Sequence, residues 1–199
     1  MFIYYGILIA YRLNIPFHDD YKILHFLMRM SDTATSWEKF QLFIAQHNEH
    51  RIAFNRTIQW LVYQWSSPID FRIYHLIGNT GLILLIAFFI KVFPEHLLSA
   101  KYFLPIPFLV FQLQHWENML WATAVLMNFY ILVFSGFAFY FLKTPSKPGF
   151  LISLFLANLA FYTQGSGICV LILGLIYLAV EKRKLQCVIW FLTSATAIF

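Results

Sequence analysis

FRIYHLIGNTGLILLIAFFIKVF, residues 71–93, decides the fold. As a helix this stretch rises about 1.5 Å per residue, which carries it across the roughly 30 Å hydrocarbon core of a bilayer. Working outward, Met119–Leu142, Phe150–Tyr162 and Ile168–Val180 read as further spans, and Gln186–Phe199 begins another. Tyr102–Leu113 is apolar but short, and Pro105 and Pro107 break it. Met1–Ala10 has neither a basic leader nor a small-residue cleavage site, so it reads as a first membrane helix and not a signal peptide. The chain as a whole is 60% hydrophobic and 12% charged. A soluble domain carries about 25% charged residues, so a soluble enzyme, a disordered segment and a disulfide scaffold are excluded. Cys169 and Cys187 lie in apolar runs and behave as small core residues. The expected fold is all-α: a multi-pass transmembrane helical bundle over residues 71–199, forming a single membrane domain with the rest of the chain.

Residues 14–70 differ from everything that follows. They are too polar to span and too apolar to float free, and Phe40, Phe43, Ile44, Ile52, Ile58, Leu61 and Val62 recur with helical spacing. Helices lying in the membrane interface fit this pattern. Ser66, Ser67 and Pro68 end the segment, and Asp70 is placed to cap the next span.

Short-loop lysines and arginines set orientation. Lys91, Lys101, Lys143, Lys147, Lys182, Arg183 and Lys184 fall on one side if the spans alternate, which makes that side cytoplasmic. QHWEN (114–118) and TQGSG (163–167) contain no lysine or arginine and fall on the other side together with residues 14–70. Trp37, Trp60, Trp65, Trp116 and Trp121 mark that outer face as an aromatic belt would. The formal charge of +5 therefore reflects basic loops and not a nucleic-acid partner.

The chemistry-bearing residues gather on the outer side. Asp19 and Asp20 are candidates for a general base, because a partly desolvated carboxylate can take a proton from a hydroxyl; helix capping is the competing role. Gln46–Arg51 packs His47, Glu49, His50 and Arg51 together. On one continuous helix His47, His50 and Arg51 share a face and Glu49 points away, leaving a cationic face for phosphate. A solvated face of an interfacial helix, with Glu49 and Arg56 in surface ion pairs, is the plainer alternative. His115, Trp116 and Glu117 suit a sugar, whose C–H face packs on indole while its hydroxyls bond to polar groups; belt tryptophans beside a helix N-cap are the competing reading. Gln164 lies in a loop whose amides could meet a phosphate, or which is simply a tight turn. His75, Asn79, Asn128 and Asn158 are expected to bond between helices. No ionisable chain crosses the bilayer midplane, and no Walker loop, GxGxxG, CxxC pair or HExxH occurs. No cofactor is indicated; a divalent cation is compatible with the acids and imidazoles, but no ligand spacing demands one.

With HDDY (18–21), QHNEHR (46–51) and QHWENMLW (114–121) placed on one face, the chain resembles the GT-C superfamily of integral-membrane glycosyltransferases, most closely bacterial members with a similar NEHR-like string. The resemblance covers nearly the whole chain and rests on topology and short strings. It implies a polyprenyl-phosphate-linked sugar donor, an acceptor glycan, lipid or protein, and an integral plasma (inner) membrane location with the site facing the extracytoplasmic side. It also implies that Asp19, or else Asp20, is the base, that Arg51 and then Arg56 hold the lipid phosphate, and that His47, Glu49 and His50 shape the site. Such proteins commonly have more spans than this chain, so it reads as the N-terminal part of a larger one. A polysaccharide polymerase or ligase, or a non-catalytic subunit or lipid-carrier translocator, is the alternative.

Overall fold

The computed structural model describes residues 1–48, 50–66 and 68–198; Glu49, Ser67 and Phe199 lie outside the described residues. The described residues are all-α apart from one small hairpin. In order it forms α1 (Phe2–Tyr11), α2 (Asp20–Asp32), α3 (Ser36–Ile44), strands β1 (Gln46–His47) and β2 (His50–Arg51), α4 (Ala53–Trp65), α5 (Phe71–Val92), α6 (Ala100–Phe103), α7 (Pro105–Val110), α8 (Trp116–Leu120), α9 (Ala122–Lys143), α10 (Lys147–Phe161), α11 (Ile168–Val180) and α12 (Lys184–Ile198). Asp70 caps α5 as expected, its carboxylate accepting from the Arg72 amide at 2.9 Å. The Arg72 guanidinium bonds the same group and holds its pKa below the usual range. Pro105 opens α7 after the break that ends α6, the position where its missing N–H costs least.

Among the described residues two helices, α5 and α9, are long and apolar enough to cross a membrane, each with 22 residues. Other expected spans are realised as shorter apolar helices, of 10 residues in α1, 15 in α10 and 13 in α11. The span expected from Met119 divides at Trp121, whose extended backbone separates α8 from α9.

Helices α5 and α9 run parallel. Gly78 faces Val125, Gly81 faces Phe129 and Gly136 faces Phe88, so contact positions rise together along both. A Cβ on Gly78 would stand 2.3 Å from the Val125 side chain, and only glycine permits that approach. Helix α10 returns along α9, with the Ser153 hydroxyl donating to the Ala138 carbonyl at 2.7 Å. Helices α11 and α12 form a hairpin fastened by Trp190 Nε1 donating to Leu171 O at 2.8 Å.

This connectivity gives the bundle two unlike ends. One collects Lys91, Lys143, Lys147, Lys182 and Lys184, all exposed. At the other begin α5, α9 and α11, and there α2, α3 and α4 form a cap. Ile23, Phe26, Leu27 and Met30 recur at helical spacing on α2 and bury against Leu42, Val62, Phe71, Tyr74 and Ala122.

Candidate functional site

The cap is positioned by one carboxylate. Asp20 is fully buried, and four donors converge on it: the amides of Phe17 (3.1 Å), Ala122 (3.3 Å) and Thr123 (2.8 Å), and the Thr123 hydroxyl (2.7 Å). Ala122 and Thr123 open α9, where backbone amides have no acceptor within the helix and the helix dipole favours an anion. Burial raises the Asp20 pKa, and the Thr123 hydroxyl and the amides pull it back. Asp20 thus caps a helix, but one that begins 102 residues later and not its own.

Its neighbour has different surroundings. Asp19 is 36% exposed in its side chain, 3.0 Å from Lys22 Nζ and 4.0 Å from His47 Nε2. His18, between Phe17 and this acid, takes a left-handed backbone (φ 48°), and its ring rests on Phe17 and Trp121. The turn sends adjacent acids in opposite directions, one into the helix junction and one to a cavity.

Residues 46–51 are not the continuous helix expected from their spacing. Gln46 pairs with Arg51 and His47 with His50 across an antiparallel hairpin. Asn48 adopts φ 52°, a conformation that asparagine tolerates better than most residues. Its side chain accepts from Lys22 Nζ at 3.2 Å, and its carbonyl accepts from Gln46 Nε2 at 2.7 Å. Arg56 terminates the preceding helix: it donates to the carbonyls of Leu42 (2.8 Å), Phe43 (3.3 Å) and Ala45. The shared cationic face of His47, His50 and Arg51 therefore does not form, and Glu49 falls outside the described residues.

Between α2, the end of α3, the hairpin and α4 lies a cavity of about 230 Å³. Asp19, His47 and Arg56 line it, joined by Lys22, His25 and Arg29 from α2 and by Gln59 from α4. Burial brings the Arg56 guanidinium down to about 10, which leaves it cationic at neutral pH. Burial, with Lys22 next, holds the His47 imidazole below its ordinary value of 6.5. Gln59 is 2% exposed, and its Nε2 has no partner among the described residues; nor has either amide atom of Asn55, one turn earlier. Among the described lining residues, Lys22, Arg29 and Arg56 supply cations, His25 and His47 imidazoles, Asp19 a carboxylate and Gln59 an unmet amide donor, groups able to hydrogen-bond an oxyanion or a hydroxyl. Lys22, His25 and Arg29 escaped the sequence reading although their spacing puts them on one helical face. Gln59 gave no signal beyond standing three residues after Arg56.

Arg51 lies outside this cavity, donating to Ala197 O at 3.0 Å and sitting over the Phe161 ring. His50 Nδ1 accepts from the Gly165 amide at 3.1 Å. Gln164 Nε2 donates to Asn128, which donates to Asn118 at 2.6 Å. The 163–167 loop is a tight turn, and Gly167 is required there because a Cβ would stand 2.4 Å from the Ala160 backbone. His115 is wedged against Tyr4 and Phe129, and burial lowers its pKa. Trp116 and Glu117 are exposed and line a second cleft. The four polar loops thus meet at one end of the bundle but do not share one cavity. Among the described residues no group of three or more His, Cys, Asp or Glu could hold a metal ion.

No family model, curated protein or solved structure matches the chain.

Proposed function

We propose that the chain belongs to a multi-pass membrane glycosyltransferase of the GT-C kind, which moves a sugar from a polyprenyl phosphate to an acceptor hydroxyl at the outer face of the plasma membrane. The observation that carries this reading is Asp19 at the wall of a cationic cavity, over the end where the two long apolar helices begin. Lysines at the opposite bundle end support a cytoplasmic assignment for that end. Apolar α1, α10 and α11, shorter than α5 and α9, accompany them in the bundle, and the exposed Trp37, Trp65 and Trp116 suit the outer interface.

In the proposed reaction Asp19 accepts the proton of the acceptor hydroxyl. The acceptor oxygen bonds to the anomeric carbon as the bond from that carbon to the phosphate oxygen breaks. The phosphate leaves with the electron pair, and Arg29, Lys22 and Arg56 stabilise its growing charge. Uncharged His47 and the Gln59 amide meet sugar hydroxyls. Asp20 is a positioning residue, its oxygens already bonded to the start of α9.

The test uses membranes containing the intact protein, supplied with polyprenyl phosphates bearing radiolabelled hexoses or pentoses, and follows release of polyprenyl phosphate. Asp19→Asn is expected to lower turnover by about 100-fold or more, with unchanged insertion and thermal stability. Turnover within twofold of the unaltered protein would remove the assignment.

A further inference from the structure

The second cleft lies on the other side of the Asp20 junction and is built on a different plan. Residues 11–17, the start of α5 and helix α8 enclose about 180 Å³. Its rim is apolar and open: Tyr11 is 66% exposed and Trp116 55%, with Ile15 and Phe17 beside them. Its floor holds His75, which is 2% exposed. Neither ring nitrogen of His75 has a hydrogen-bond partner among the described residues. A buried polar group left unmet carries its full desolvation penalty, so this floor calls for a polar atom while the rim calls for hydrocarbon.

Charge and size narrow the occupant. Among the described residues Glu117 is the charged one that lines the cleft, whereas Arg12, which acts on His75, is not among its lining, so an acidic head inside the cleft faces a carboxylate. A hydroxyl can meet the imidazole in either sense, accepting from its N–H or donating to its bare nitrogen, whereas a carboxylate only accepts. The volume falls below the roughly 300–1,000 Å³ of drug-sized sites and suits a head with the first carbons of one chain.

We propose that this cleft binds a single-chain amphiphile with an uncharged hydroxyl head, its hydroxyl on His75 and its chain lying across Tyr11, Ile15 and Phe17. The site does not rest on the sugar-transfer reading, because none of these residues lines the cationic cavity.

The test exposes the intact protein in lipid nanodiscs to a hexadecanol bearing a diazirine near its head and maps the labelled peptides. Saturable labelling is expected within residues 11–17 and 116–120, competed by unlabelled hexadecanol and about tenfold less well by palmitate. His75→Phe keeps a ring of similar size, deletes both nitrogens and is expected to weaken labelling about tenfold. Should that buried substitution fail to fold, Glu117→Gln on the exposed rim supplies a second measurement: palmitate should then compete nearly as well as hexadecanol. Labelling that never saturates, hexadecane competing as well as hexadecanol, undiminished labelling of folded His75→Phe, or rejection of palmitate that survives Glu117→Gln would each overturn the proposal.

Discussion

The two ends of the bundle are made from the same kinds of residue and are put together differently. At the lysine end the lysines are exposed, and the half-buried Arg183 donates to the Leu142 carbonyl at 2.6 Å and to Gln186. At the capped end Asp20, Arg56, Gln164, Asn128 and Asn118 are joined to backbone and to one another. Solvated charges set orientation in a membrane and contribute little to the fold, whereas desolvated ones fix where segments distant in sequence meet.

The contrast can be broken most forcefully at Asp20. Asp20→Ala leaves the first amides of α9 and the Thr123 hydroxyl without an acceptor, and we expect a loss of about 3 kcal/mol in detergent thermal unfolding. Asp19→Ala removes a partly exposed ion pair and should cost less than about 1 kcal/mol. Equal losses for the two would erase the distinction between them. A finer probe is the pH dependence of stability. His47 has its folded pKa below the ordinary 6.5, so the unfolded chain binds the proton more readily and stability falls as pH drops below about 6.5. His47→Gln should lessen that slope, with His115 keeping part of it, without altering stability at pH 8, read from melting temperatures across pH 5–8. The smallest effect is expected at the opposite end, where Lys182→Glu with Lys184→Glu should shift stability by less than about 0.5 kcal/mol. The same pair should alter the proportion of correctly oriented protein in a cysteine-accessibility assay, because these charges act on insertion.

Much of the fold was legible because it is local. Apolar runs gave the positions of α5, α10 and α11, Asp70 announced a cap two residues before the amide it bonds, and Pro105 marked the break between α6 and α7, whereas Pro107 is absorbed into the first turn of α7. The site was less legible for two physical reasons. Helical spacing in 46–51 is overridden by Asn48, which accepts a left-handed turn, and by Arg56, which closes off α3 before the hairpin begins. The separate surroundings of Asp19 and Asp20 come from residues 122 and 123, which no local pattern connects to them. Arg51 looked the better phosphate partner because it stands in the densest polar string. The cavity instead draws on Arg29 and Lys22, whose signal was a quiet helical stripe on α2.

The parallel course of α5 and α9 has an electrostatic corollary. Two long helices that start side by side concentrate the positive poles of both macrodipoles at one level, and each pole already has its own counter-charge: Asp70 on α5 and Asp20 on α9. The scaffold therefore neutralises itself. Of the cations facing the cavity, Lys22 answers Asp19 and Arg56 answers the carbonyls that end α3, so neither helix start draws on them.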